Sequence, residues 1–179
     1  MKALRIAIKD IQEGLSTLNI TCKAEEIGLE VEGLSFIDPI TVKLKLFKQE
    51  DIVFVNAELS VAIESECDKC LSPVRMILTG SFENQYQPLP ELSRNLMDDI
   101  GIGYYSEDEI DLSDDIKESI LLELPAKILC SEDCKGLCPR CGQDLNQGKC
   151  DCRLEPEEIQ TSKFAEYLKS LNIKNKLGV

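Results

Sequence analysis

Eight of the nine cysteines in this chain stand in short-spaced pairs, and no other feature limits the fold so strongly. Cys67 and Cys70 lie in mid-chain, while Cys130, Cys134, Cys138, Cys141, Cys150 and Cys152 crowd together near the end. Eight thiolates fill two tetrahedral sites, and two intervening residues is a ligand spacing for zinc. A disulfide scaffold would instead need an oxidising compartment. The opening residues Met1 to Asp10 lack the apolar stretch and small-residue cleavage site of an export signal, and no run nears the roughly 20 apolar residues of a membrane span. These features lead us to expect a cytoplasmic, metal-binding protein with no membrane association.

Cys138-Pro139-Arg140-Cys141-Gly142 is the most specific local signature, because two thiolates flank a tight turn and the glycine permits a left-handed backbone beside the metal. Cys150 and Cys152, reached through Gln143 to Lys149, complete the first expected site. Cys67 and Cys70 fall where one strand hands over to the next, and Cys130 and Cys134 are the thiols left over for the second. Proximity along the chain, not chemistry, makes this division of ligands. A metal held by the second set would close a loop of about sixty residues. The expected cofactor is structural zinc, two ions in all.

Histidine is absent from all 179 residues, which removes the commonest general base and the imidazole ligands of most catalytic zinc sites. A zinc ligated by four thiolates has no open position for substrate, so a non-enzymatic protein is expected. Iron-sulfur ligation and thioredoxin-like redox chemistry are the rivals. The redox pair usually sits at a helix N-terminus, a setting neither Cys67-Cys70 nor Cys138-Cys141 has. Cys22 stands alone and reads as a small buried hydrophobe.

Hydrophobic periodicity gives the rest of the fold. An opening strand and short turn or helix are expected in residues 1 to 26. From Ile27 the period becomes two, with Leu29 and Val31 alternating with glutamates, then Ile40, Val42, Leu44 and Leu46, then Val53 to Ile63, and again Val74, Met76, Leu78 and Phe82. Successive strands without intervening helices predict an antiparallel meander. Residues 87 to 103 read as a loop with room for a short helix. Asp111 to Asp115 caps a helix whose Leu112, Ile116, Ile120, Leu121 and Leu124 share a face, stopped by Pro125. Pro156 opens a second amphipathic helix through Phe164, Tyr167, Leu168 and Leu171. The predicted class is α+β, an antiparallel meander or partly closed barrel with two or three helices and a C-terminal zinc knuckle. Its expected parts are a β domain over 1–90, an acidic connector and helix over 91–129, a cysteine-rich module over 130–153, and a closing helix and tail over 154–179.

Charge narrows the partners. The net charge is −13, and residues 91 to 124 hold eleven acidic residues against Arg94 and Lys117. Such a chain is a poor non-specific binder of RNA, so any RNA contact must be local. Lys135, Arg140, Lys149 and Arg153 around the knuckle are where one would form, and they support an alternative reading as a direct nucleic-acid-binding zinc ribbon. The acidic run reads first as solvated surface, and more sharply as a docking patch for a basic ribosomal protein. Tyr104 and Tyr105 within it fit burial against the sheet better than partner contact. A carboxylate-dependent nuclease using Asp98, Asp99, Asp108, Asp111, Asp114 and Asp115 is a third reading, with nothing to fix the geometry.

Taken together, the middle Cys-x-x-Cys-Leu, the Asp111-Leu-Ser-Asp-Asp helix ending at Leu124-Pro125, and Cys134-Lys-Gly-Leu-Cys-Pro-Arg-Cys-Gly-Gln-Asp-Leu-Asn resemble the YceD family, domain of unknown function family 177. The match runs from about residue 27 to the closing helix. The resemblance implies a bacterial role in accumulation or maturation of 23S ribosomal RNA and the large ribosomal subunit, with a ribosomal protein or a large-subunit assembly intermediate as partner and no catalytic residue. Some members of that family lack part of the C-terminal cysteine set.

Overall fold

A computed structural model describes residues 4–89 and 101–152. The chain divides into two compact units, Met1–Gly136 and Leu137–Val179. Cys130 and Cys134 therefore fall with the first unit and Cys138 to Cys152 with the second. The first unit runs in the order β1 (Arg5–Ala7), β2 (Gly14–Cys22), β3 (Leu34–Phe36), β4 (Ile40–Gln49), β5 (Ile52–Glu66), β6 (Pro73–Pro88), β7 (Ile102–Tyr105), β8 (Glu109–Asp111) and α1 (Ser113–Leu122), with 3-10 turns at Ile8–Asp10 and Ala24–Ile27.

The period-two pattern does what it should in β4, β5 and β6, which form the expected antiparallel meander. Leu44 stands opposite Ala57 and Ala57 opposite Phe82, while Leu46, Val55 and Asn84 form the next row on the same face. That face buries Ile40, Val42, Leu44, Leu46, Val53, Val55, Ala57, Leu59, Val61 and Ile63 almost completely. Burying a side chain of this size is worth about 1.5–3 kcal/mol, so these rows set the register: a slip by one residue would turn them all to water. On the opposite face Lys43 and Lys45 stand in line with Glu58 and Asn56, and Lys45 pairs with Glu58 at 3.3 Å.

Among the described residues the sheet does not curl into the partly closed barrel that is the alternative to an open meander. The strand order is β2-β4-β5-β6-β7, with β3 paired to β5 off that path, and the two end strands do not meet. Alternation reports which face of a strand is buried and is silent about which edges join, so closure could not be read from it. Nor is the sheet wholly antiparallel, since β7 runs parallel to β6. A parallel connection needs a crossover of about a dozen residues, which the span from Pro88 to Ile102 supplies.

One further expectation is corrected. Leu29 and Val31 lie in no strand: Gly28, at φ +66, ends the 3-10 turn, and the Leu29 amide bonds back to the Ala24 carbonyl at 2.9 Å. Leu29 is buried all the same, so its alternation with glutamates mimicked a strand. Of the two or three expected helices, the described residues contain one, α1. The helix expected after Pro156, and any helix in 91–100, lie outside the described residues.

α1 packs its Ile116 and Ile120 into the core with Leu112 just before it, whereas Leu121, expected on the same face, is exposed. Gly80 of β6 makes the approach possible, because a Cβ there would lie 3.0 Å from both the Ser119 carbonyl and Leu59. Asp115 accepts bonds from the Tyr86 hydroxyl and the Asn84 amide of β6, fastening the helix to the sheet. Burial pushes the Asp115 carboxyl above the usual range against the pull of those donors. Tyr105 is buried as expected and donates to the Asp51 carbonyl at 2.8 Å. Among the described residues no helix is long and apolar enough to cross a membrane.

Candidate metal centres

The β5–β6 turn carries Cys67 and Cys70 at the far end of the longest hairpin. Here the Cys67 amide donates to the Ser72 carbonyl at 2.8 Å and the Leu71 amide to the Cys67 carbonyl at 2.9 Å, with Leu71 in the left-handed region at φ +60. A reciprocal clasp brings the chain beyond α1 to this tip. The Asp68 amide donates to the Ile128 carbonyl at 2.8 Å, and the Ile128 amide donates to the Asp68 carboxylate at 2.7 Å. Two residues further on comes Cys130. Lys69 then donates to the Cys134 carbonyl at 3.2 Å, and Gly136 at φ +76 passes so close that a Cβ would lie 3.0 Å from the Lys69 carbonyl.

The result is a cluster of Cys67, Cys70, Cys130 and Cys134 whose sulfurs all lie within 4.8 Å of one another. Cys67 Sγ stands 3.7 Å from Cys134 Sγ, and Cys70 Sγ stands 3.5 Å from Cys130 Sγ. Zinc bound tetrahedrally to sulfur at about 2.3 Å separates its ligands by about 3.8 Å, so these spacings fit such an ion. Cys67, Cys70 and Cys134 are buried and Cys130 is exposed.

The second unit builds its cluster locally. The Cys138 amide donates to the Gln143 carbonyl and the Gly142 amide to the Cys138 carbonyl, both at 2.8 Å, and Gly142 takes φ +73. Leu137 bridges Asp144 across this turn. The Asp144 carboxylate accepts from the Asn146 amide at 2.9 Å and from the Gln147 side chain at 3.1 Å, folding the chain back toward Cys150. Cys138, Cys141, Cys150 and Cys152 meet within the same 4.8 Å limit.

Electrostatics in both clusters favour a cation. Burial raises the Cys67 thiol, but amide donors of Cys130, Lys69 and Cys70 outweigh it and bring it down to about 6. Amides of Cys141 and Arg140 likewise bring Cys138 down to about 6. Cys130 is pushed up to about 12 by bonds to Cys134 and Cys70, and Cys152 up to about 12 by its bond to Cys141. Each set thus gives up one proton readily and holds another hard, because the remaining proton is shared in hydrogen bonds between neighbouring sulfurs. A dication takes the place of such shared protons and deprotonates coordinating thiols outright. The chemistry of the donors, all sulfur, suits zinc and other thiophilic metals.

The structure therefore brings the eight predicted cysteines together in the two predicted groups. Cys22 lies apart, buried, with burial raising its thiol. Both close pairs sit in turns, Cys67-Cys70 between two strands and Cys138-Cys141 in the 138–143 turn, and neither opens a helix. Among the described residues no set of carboxylates gathers as a metal site. Asp111 instead holds Arg5 and caps the Ser113 amide, and Asp115 holds Asn84 and Tyr86. Asp98, Asp99 and Arg153 lie outside the described residues. The Asp68–Ile128 clasp has no signal in the sequence, whereas Asp144-Leu-Asn146 is an Asx-turn signature legible there.

Comparison with known proteins adds to this geometry. The family model described as large ribosomal RNA subunit accumulation protein YceD matches residues 55–171. An uncharacterised protein of Mycobacterium tuberculosis is 29% identical over 66% of this chain and 58% of its own length. The chloroplastic large ribosomal RNA subunit accumulation protein YCED homolog 1 of Zea mays is 23% identical over 82% of this chain and 60% of the maize protein. Its Arabidopsis thaliana namesake is 42% identical over 28% of this chain and 16% of its own length. The chain thus spans 58% of the first of these relatives and a similar share of the maize one. No solved structure matches.

Proposed function

The chain belongs to the YceD family, and from that premise we propose that it is a cytoplasmic, non-catalytic bacterial factor supporting accumulation and maturation of 23S ribosomal RNA and the large ribosomal subunit. The observation that carries this reading is the family match over residues 55–171, which spans most of β5, all of β6 and α1, and all eight clustered cysteines. In this reading each cluster holds one structural zinc, with Cys67, Cys70, Cys130 and Cys134 on one ion and Cys138, Cys141, Cys150 and Cys152 on the other. A bound zinc would supply a closed cross-link and no reactive position. Basic ribosomal proteins are the partners an acidic chain suits best.

Depletion tests it: large-subunit precursors should accumulate and mature large subunits should fall, while normal subunit profiles in depleted cells would refute it. A second reading, direct RNA contact, draws on Lys135, Arg140 and Lys149 beside the knuckle cysteines. Titration with rRNA fragments separates the two. Steep salt-dependent binding, lost on neutralising Arg140 and Lys149, favours RNA, and absence of binding favours a protein partner.

A further inference from the structure

β2 ends the sheet. It pairs with β4 on one side and with no described strand on the other, and among the described residues no backbone group of residues 14–22 bonds outside that ladder. Soluble proteins blunt such an edge with lysine, proline, a bulge or brevity. This edge has none of them. Its nine residues, Gly-Leu-Ser-Thr-Leu-Asn-Ile-Thr-Cys, carry no charge and no proline, and the register runs unbroken from Gly14 opposite Lys48 to Cys22 opposite Ile40. Leu18, on the core side opposite Leu44, is 39% exposed, and Leu15 on the outer side is 77% exposed.

We propose that β2 pairs antiparallel with β2 of a second copy of this chain, about a two-fold axis through Leu18. That axis is the middle of the strand and matches all nine residues. Gly14 meets Cys22, Leu15 meets Thr21, Ser16 meets Ile20, Thr17 meets Asn19, and the two Leu18 side chains cover each other on the core side. One step beyond the strand, the same register sets Glu13 opposite Lys23 of the second copy, and the symmetry makes that contact twice. Both residues are exposed, the Glu13 side chain by 65% and lying 3.7 Å from Lys48 Nζ.

Charge selects a second copy over other occupants. An RNA strand or a basic protein segment finds no acidic or basic side chain along β2 to hold it. A chain of net charge −13 repels its own copy over most of its surface, so self-association needs a neutral strand flanked by opposite charges, which this edge offers. Main-chain bonds of an added strand supply affinity, and the flanking pairs supply direction. This inference is independent of the family's role in rRNA accumulation.

The test is sedimentation equilibrium of the full metal-loaded chain over a dilution series. Wild type should dimerise. Glu13→Lys alone or Lys23→Glu alone turns both flanking contacts repulsive and should weaken dimerisation roughly tenfold or more, while the double reversal should restore it to near wild type. Thermal melting of each variant confirms an intact sheet. A wild type that stays monomeric throughout overturns the proposal, as does a double reversal that dimerises no better than the single ones, which would place the interface elsewhere or give the edge to another segment.

Discussion

The first cluster draws its sulfurs from segments sixty residues apart, with Cys67 and Cys70 on the tip of a sixteen-residue strand's hairpin and Cys130 and Cys134 beyond the helix. The second draws all four from residues 138–152. In the first, the sheet and the Asp68–Ile128 clasp already hold the thiols near one another. In the second, Cys138 is the single buried residue between 137 and 152, and one bridge, Leu137 to Asp144, stands in for secondary structure. The contrast teaches that one chemistry serves two purposes: a metal in the first cluster would fasten a fold that has its own core, and a metal in the second would hold residues 137–152, where among the described residues no apolar core does so.

Metal removal should separate the two most sharply. A structural zinc contributes on the order of 10–16 kcal/mol of apparent binding free energy, more than a segment lacking buried apolar side chains can replace. Under a strong chelator, residues 137–152 should lose all amide protection while β4 and β5 keep theirs, as read by hydrogen exchange. Protection of 137–152 without metal would break the comparison.

Single ligand changes come next. Cys67→Ser should reduce the bound metal from two ions to one by native mass spectrometry and also lower the melting temperature of the sheet. By the loop-closure arithmetic used for disulfides, releasing a span of about sixty residues forfeits about 4 kcal/mol. Cys138→Ser should remove one metal as well, but leave the sheet's melting where it was. Equal melting losses in the two variants would erase the distinction.

The sequence made the second cluster legible and the first only by remainder. Cys138-Pro-Arg-Cys-Gly announces its own turn, so its ligands could be chosen from spacing. Sequence joins Cys130 and Cys134 to Cys67 and Cys70 only as the remaining thiols, since the Asp68–Ile128 clasp that brings them together leaves no periodic trace. The meander was readable because β4, β5 and β6 each bury one face. The open sheet order and the parallel β7 were not, because edge partners depend on contacts between segments far apart in sequence. Leu29 shows the opposite case: its burial is legible in the sequence, and the backbone that achieves it is not.

Tyr86→Phe probes whether the first cluster depends on the helix that leads to it. The change leaves the half-buried Asp115 with the Asn84 amide but without its phenol donor, at a cost of about 1–3 kcal/mol for a hydrogen bond to a charged group. Asp115 has a folded pKa raised above the unfolded value of about 3.9, so its contribution to stability is full below that value and lost as pH rises through the folded pKa. Removing the hydroxyl raises that folded pKa further. The penalty of Tyr86→Phe should therefore grow as pH rises above about 4 in urea unfolding. Metal affinity should fall at the first cluster and stay unchanged at the second.

The smallest effects lie in the two left-handed glycines, one beside each cluster. Gly136→Ala meets two penalties, the strain of φ +76 and a Cβ 3.0 Å from the Lys69 carbonyl, so the clasp on the first cluster must shift. Gly142→Ala meets one, because nothing lies within 4 Å of a Cβ there and the cost is the left-handed backbone alone, about 1–2 kcal/mol. That predicts a loss of roughly 5- to 30-fold in metal affinity at the second cluster, measured by competition with a chromophoric chelator. Gly142→Asn should recover much of it, since asparagine tolerates the left-handed region, whereas Gly136→Asn should not, because its Cβ still strikes Lys69. An asparagine that rescues both positions equally would mean that crowding at the sheet plays no part in shaping the first cluster.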